Sequence, residues 1–136
     1  MAERKITRLK LEDVNEADLR WILHLDSTTD FMLSPEEILD EVKETSMQLW
    51  RLQNGPEGIM LTRILESKKK CLLEVVALAG NKAMNYMQGL VDDLFELAKH
   101  EGCKQILYSA QNKKFGELIS KRCGAEVDAV TYVWRV

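Results

Sequence analysis

The chain has 136 residues, of which 46% are hydrophobic and 30% are charged, and its formal net charge is −3. This length suits one domain with a single core, and this composition is typical of a folded globular protein rather than a disordered one. No apolar run approaches the roughly 20 residues that cross a bilayer, so we expect no membrane attachment. The acidic balance favours no general attraction to nucleic acid, and we expect none to bind.

The three cysteines, Cys71, Cys103 and Cys123, are widely spaced and form no C-x-x-C pair. With only His24 and His100 as further soft ligands, they predict neither a zinc site nor a disulfide framework. We expect reduced, partly buried thiols that pack as small hydrophobic side chains. Such thiols are typical of the reducing cytoplasm, where we therefore place the protein, with no metal site.

The first part of the chain predicts a strand followed by two helices. Lys5–Leu11 alternates between polar and apolar residues, as a strand does, and Asn15–Leu25 has apolar residues at helical spacing after a residue suited to an N-cap. Ser34 predicts the start of a second helix, because Glu37 stands three residues later and completes a capping box. This helix should end near Glu44.

The middle of the chain predicts three strands in succession. Met47–Gln53 and Gly58–Glu66 are strand-like, and the Asn54-Gly55 step between them favours the positive φ of a tight hairpin. Cys71–Ala79 is a nearly continuous apolar run, which is typical of a strand buried on both faces. The three strands should form an antiparallel meander.

The last part predicts a helix, a strand, a helix and a strand: Met84–His100, Lys104–Ser109, Asn112–Arg122 and Ala125–Val136. The first of these helices is a crossover, so the strands on either side of it should be parallel. The full order is βααβββαβαβ over residues 1–136. The sequence thus predicts one α/β (α+β) domain, a mixed sheet of about six strands flanked by about four helices.

This order resembles the GNAT superfamily of acyl-CoA-dependent N-acetyltransferases. Within it, Ala79–Lys82 and Leu97–Cys103 look similar to segments of small GNAT-like proteins of tailed bacteriophages. The resemblance implies a three-layer fold in which the Cys71–Ala79 and Lys104–Ser109 strands splay apart and the pantetheine arm of acetyl-CoA lies between them. Separated strands expose backbone N–H and C=O groups that an amide-bearing ligand can satisfy. Two residues of the first strand would line this gap, Val76 and Leu78.

The resemblance also implies a diphosphate site on backbone N–H groups where the following helix starts. The family motif there, R/Q-x-x-G-x-G/A, aligns with Lys82–Met87. Lys82 matches the basic residue, and Asn85 would have to adopt the left-handed conformation of a glycine. Met87 departs from the motif, because its side chain would crowd the turn. Asn112 matches a recurrent Asn of the family near the cofactor, although it would serve equally well as an N-cap.

Catalysis in this family needs a base for the amine and an acid for the departing thiolate. Glu74 is the only carboxylate of Cys71–Ala79 and is the candidate base; alternatively it is a structural residue paired with a lysine. Ser120 occupies the place of the usual tyrosine acid, four residues before Gly124. Tyr108 is the other candidate acid, although an aromatic residue in such a strand also suits the core. The hairpin residues Trp50, Arg51 and Arg63 could together line a groove.

Met87, Ser120 and Ala125, where the family usually has an aromatic residue, all depart from the family pattern. These departures favour a non-catalytic structural or binding protein of phage origin with a degenerate acyl-CoA site. Its partner would be a protein of a phage particle or of the host, and the protein could be part of the virion. The alternative is an acetyl-CoA-dependent N-acetyltransferase acting on an amine of a protein or small molecule. An unpaired edge at Val127–Val136 would suit a homo-oligomer, whereas a covered edge would not.

Overall fold

A five-stranded mixed sheet lies between helices on its two faces in the computed structural model, which describes residues 3–28, 33–108, 113–126 and 134–136. The strands are β1 (Ile6–Leu9), β2 (Gln48–Leu52), β3 (Glu57–Glu66), β4 (Cys71–Asn81) and β5 (Gln105–Tyr108). The helices are α1 (Glu16–Thr28), α2 (Pro35–Lys43), α3 (Met87–His100) and α4 (Lys113–Cys123). No helix in these described ranges is long and apolar enough to cross a membrane.

The strands lie side by side in chain order, and this order confirms the predicted α/β architecture. β1 to β4 are successive antiparallel neighbours, whereas β5 pairs with β4 in parallel across the α3 crossover. The predicted sixth strand, Ala125–Val136, falls largely on residues 127–133, outside the described part of the chain. The described residues on either side of that gap are not in a strand.

Two apolar clusters form the core, one on each face of the sheet. The cluster on the α3 face is made of Ile6, Trp50, Leu52, Met60, Leu73, Val75, Leu90, Leu94, Ala98 and Cys103. The cluster on the α1–α2 face is made of Leu9, Ile22, Leu25, Ile38, Val42, Leu49, Ile59, Leu61, Ala77 and Ala79. Because a strand alternates its side chains between faces, β2 and β3 contribute to both clusters.

Capping residues start α1 and α2 where the sequence predicts them. The Ser34 hydroxyl accepts the Glu37 N–H, and the Glu37 carboxylate accepts the Ser34 N–H, each at 3.2 Å. Asn15 and Asp18 make the same reciprocal pair at 2.9 Å ahead of α1. Each cap satisfies backbone donors that a helix start otherwise leaves unpaired.

A buried ion pair attaches the start of α1 to the sheet. Arg51 of β2 donates to both carboxylate oxygens of Asp18, from Nη2 at 2.7 Å and from Nε at 3.1 Å. The Asp18 side chain is only 3% exposed, and the hydrogen bond to it raises the pKa of Arg51 above its ordinary value. Removing one partner of such a pair leaves the other charged and desolvated, so this contact fixes α1 over β2.

Candidate functional site

β4 extends beyond the described part of β5. β5 pairs with β4 over Leu72–Val75, up to its last described residue, whereas β4 continues to Asn81. Within the described residues, Ala77–Asn81 therefore has a strand partner on the β3 side alone, and we call the other side of this segment the gap. Backbone polar groups on the other side of this segment can be satisfied by a ligand that carries its own amides. The resemblance implies a separation of the strands at this place, where residues 109–112 lie outside the described part of the chain.

A β-bulge lies at the point where the gap begins. Leu61 of β3 pairs with Ala77 but the next residue, Thr62, pairs with Val75, so Val76 has no partner on β3. Val76 and Ala77 both pack on the α1–α2 face, as two residues of a bulge do, and the side-chain alternation of β4 is reversed beyond them. A bulge bends its strand and redirects the backbone groups around it.

The two predicted cofactor contacts on β4 lie along this gap. Val76 is the bulged residue itself, and Leu78 follows two residues later; both side chains are half-buried. Val76 packs against the core on the α1–α2 face, whereas Leu78 packs against the core on the α3 face. A ligand between the strands would therefore touch a side chain from each face.

Glu74, the candidate base, forms an ion pair with Arg63. The two residues are cross-strand partners, and Arg63 Nε lies 2.7 Å from Glu74 Oε2. A structural Glu74 was expected to pair with a lysine, whereas its partner is an arginine. The Glu74 side chain is 21% exposed and that of Arg63 is 42% exposed, so solvent reaches the pair. Such a pair contributes about 1 kcal/mol or less to stability.

Tyr108, a candidate acid, is the last described residue of β5 and pairs in register with Val75, immediately before the bulge. Val75 packs against α3, so the register puts Tyr108 on the α3 face and Glu74 on the opposite face. About a third of Tyr108 is exposed, yet desolvation of the phenol still raises its pKa above the ordinary value of 10.0. The hydroxyl therefore keeps its proton at neutral pH.

Ser120, the other candidate acid, has its hydroxyl occupied by a local contact. Its Oγ donates to the Ala125 carbonyl at 2.6 Å, and its own carbonyl accepts the Gly124 N–H at 3.1 Å. Both bonds close the end of α4, where carbonyl groups would otherwise lack donors. The predicted cofactor contact Asn112 lies outside the described residues.

The turn after β4 differs in detail from the one predicted. Asn85 was expected in the left-handed conformation; instead Lys82 adopts it, with φ of 62°, and Asn85 lies in a short 3-10 segment, Ala83–Tyr86. In that segment the Asn85 N–H donates to the Lys82 carbonyl at 3.1 Å. Lys82 and Asn85 are both exposed beside the turn, as ligand-binding side chains must be.

Met87, the departure from the family motif, directly follows this turn. It is the first residue of α3 and is 6% exposed, so its side chain is directed into the protein interior. Tyr86 is held on the hairpin instead: its ring lies so close to Gly55 that a β-carbon there would be 2.3 Å from the ring, and Lys5 Nζ lies 4.8 Å from the ring centre. This packing fixes the start of α3 relative to the β2–β3 turn.

The predicted groove of Trp50, Arg51 and Arg63 does not form. Trp50 is buried on the α3 face, where its Nε1 donates to Thr62 at 2.8 Å. The strand alternation puts Arg51 and Arg63 on the other face, and each is bound by a carboxylate. Arg51 does line a surface pocket of about 200 Å³ beside Trp21, but Asp18 holds its guanidinium there.

Sequence reasoning missed the role of Arg63 and the position of the bulge. Ile59, Leu61 and Arg63 are alternate residues of β3, so they lie on the same α1–α2 face. This alternation in the sequence was enough to predict the face on which Arg63 lies. The bulge had no signal, because β4 reads as a continuous apolar strand. In the described part of the chain, His, Cys, Asp and Glu side chains form no group of three or more that could hold a metal ion.

Comparison of the sequence with protein-family models finds no match, and comparison with curated proteins finds none either. Solved structures do match. An acetyltransferase from Trypanosoma brucei has a TM-score of 0.68 at 14% identity, with 96% of this chain and 98% of that one covered. The ribosomal-protein-alanine N-acetyltransferase of Brucella melitensis biovar Abortus 2308 has a TM-score of 0.67 at 12% identity, with 96% and 97% covered.

A third similar structure is an aminoglycoside acetyltransferase from an uncultured soil metagenomic sample, in complex with sisomicin. It has a TM-score of 0.66 at 15% identity, with 97% of this chain and 95% of that one covered. Identities this low establish a shared architecture rather than a shared reaction. Together with the strand order, these matches show that the chain has a GNAT-like fold.

Proposed function

We propose that this protein is an acyl-CoA-dependent N-acyltransferase that binds the pantetheine arm of acetyl-CoA between β4 and β5. The observation that carries the proposal is the bulge at Val76, which directly follows the β4–β5 pairs of Leu72–Val75 and precedes a segment that, within the described residues, pairs with β3 alone. The pantetheine arm contains two amides, which suit backbone groups that have no strand partner. Met87, which the sequence suggested would crowd the diphosphate turn, is buried at the start of α3.

The residues around the gap can divide the reaction between them. Acetyl-CoA, when bound, supplies an acyl group activated as a thioester. Backbone N–H groups near the bulge would donate to the thioester oxygen as negative charge develops on it. Glu74 would accept a proton from the attacking amine, directly or through water, while Arg63 positions its carboxylate. Tyr108, protonated at neutral pH, would donate a proton to the departing thiolate.

The opposite faces of Glu74 and Tyr108 suit this division of roles. A thioester lying between two strands is in the plane of the sheet, so it can be approached from both faces. The amine would then arrive on the α1–α2 face, where Glu74 is partly open to solvent. The thiolate would receive its proton from the α3 face.

A second candidate function is a protein that has kept the fold but does not catalyse. Two observations favour it: Glu74 is held by Arg63, and the Ser120 hydroxyl is held by the Ala125 carbonyl. In this alternative the site is degenerate and the protein serves as a binding or structural component with a protein partner. The association with phage particles remains a prediction of the sequence resemblance, and a homo-oligomer remains a prediction from the expected strand edge at Val127–Val136.

Calorimetric titration with acetyl-CoA tests the proposed site. We expect binding in the micromolar range and an affinity at least about tenfold lower in Lys82→Glu, which corresponds to about 1.4 kcal/mol. The matched control is Lys70→Glu, which makes the same charge change at an exposed turn before β4. Absence of binding at millimolar acetyl-CoA would contradict the proposal. Binding without acetylation of any amine in a broad panel would favour the non-catalytic alternative.

A further inference from the structure

Two cysteines distant in sequence meet at the closed end of the β4–β5 pair. Cys71 Sγ and Cys103 Sγ are 2.8 Å apart, and both are free thiols. Since a disulfide bond is about 2.05 Å long, closure needs a movement of only about 0.8 Å. The third cysteine, Cys123, is half-buried on α4 and also free.

The main chain on both sides keeps the two thiols in place. The Lys104 N–H donates to the Cys71 carbonyl at 3.1 Å, so the two backbones are adjacent at this end of the sheet. The Cys103 N–H donates to the Ala98 carbonyl at 2.8 Å, which attaches it to the end of α3. Both side chains also belong to the same apolar cluster on the α3 face. The pair is thus preorganised, and closing it would cost little conformational entropy.

We propose that Cys71 and Cys103 are a modification site at which a small-molecule disulfide, such as oxidised glutathione, produces an intramolecular disulfide. Cys71 is the more accessible of the two, so it reacts first. Its thiol releases a proton, and the thiolate attacks one sulfur of the reagent, breaking that S–S bond and releasing one small thiol. Cys103 then loses its proton and attacks Cys71 Sγ, which releases the second small thiol. The two cysteines give up two electrons, and the reagent takes them.

The second step should be the slow one. Burial, followed by the neighbouring Cys71, raises the pKa of the Cys103 thiol to about 12, so little thiolate is present at neutral pH. Once Cys71 carries the reagent sulfur it can no longer act as a neighbouring thiol, but burial and the negative charges of Glu101 and Glu66 still raise the pKa of Cys103. A mixed disulfide at Cys71 should therefore appear transiently, and the bridge should form faster as pH rises.

The bridge would enclose β4, the turn at Lys82 and α3 in one covalent loop. It would lie at the end of β4 away from the gap, so it should stabilise this unit without blocking the gap. This inference does not depend on the proposed acyltransferase function, since it concerns the opposite end of the strand.

The experiment equilibrates the Cys123→Ser protein with oxidised glutathione and compares it with the reduced protein. We expect a monomer lighter by two hydrogen atoms, a Cys71–Cys103 cross-linked peptide after digestion, and a Tm higher by about 10 °C. The matched controls, Cys71→Ser and Cys103→Ser in the same background, should give no such peptide and no rise in Tm. Stable glutathione adducts or unmodified thiols at equilibrium, with no bridge, would overturn the proposal. A bridge that lowers Tm would overturn the claim that the pair is preorganised.

Discussion

Both halves of β4 are mostly apolar, but they have different structural roles. Leu72–Val75 is paired on both sides, and its buried side chains pack against α3. Ala77–Asn81 is paired on the β3 side alone within the described residues, and its buried side chains, Ala77 and Ala79, are small and face α1 and α2. The first half is held by its side chains, whereas the second leaves its backbone available. In the proposed site, the rigid support therefore lies before the bulge and the ligand gap after it.

The largest expected effect is on the rate, at the boundary between the two halves. Glu74→Gln should lower kcat by about 10²- to 10⁴-fold, because the amide cannot accept the proton of the amine. Acetyl-CoA affinity should not change, since Glu74 precedes the gap. Steady-state assays of CoA release and calorimetry measure the two quantities separately.

The control for this variant is Glu66→Gln, which makes the same change at the exposed end of β3 and should keep full activity. Full activity in Glu74→Gln would show that Glu74 is only the ion-pair partner of Arg63.

The next effect is on stability and separates the packed half from the open half. Leu73 is fully buried, so Leu73→Ala should lower the free energy of unfolding by about 2–5 kcal/mol. Leu78 is half-buried beside the gap, and Leu78→Ala should cost distinctly less. Urea unfolding of both variants measures the difference. Equal costs would mean that the second half is packed as tightly as the first.

The smallest expected effect distinguishes the two candidate acids. Tyr108→Phe should lower kcat by about 10²-fold, because Tyr108 ends β5 next to the gap. Ser120→Ala should leave kcat nearly unchanged and cost about 1 kcal/mol of stability, through loss of the bond to Ala125. Because the pKa of Tyr108 is raised, its ionisation should reduce the wild-type rate only above pH 10.

The opposite ranking of these two variants would move the acid to α4. It would also require the Ser120 hydroxyl to leave the Ala125 carbonyl during the reaction.

Local signals in the sequence predicted most of the elements and part of the site. The capping box at Ser34, the N-cap at Asn15 and the Asn54-Gly55 turn all depend on neighbouring residues, so they could be predicted correctly. The left-handed conformation expected at Asn85 was wrong, because the sequence does not show which residue of a turn adopts it. Lys82 adopts it instead.

Contacts across the sheet could not be predicted from the sequence. Arg63 and Glu74 meet only because of the β3–β4 register, and Cys71 meets Cys103 only because α3 returns the chain to β4. Neither pair has a local sequence pattern, since each joins residues at least 11 positions apart.

The sequence by itself determined the order of elements, their caps and the parallel crossover, because hydrophobic periodicity and turn chemistry act over a few residues. Only the tertiary structure decided where β4 is bulged, which face Glu74 occupies and which thiols meet. A one-residue bulge changes the side on which every later side chain lies, and no local pattern in β4 shows it.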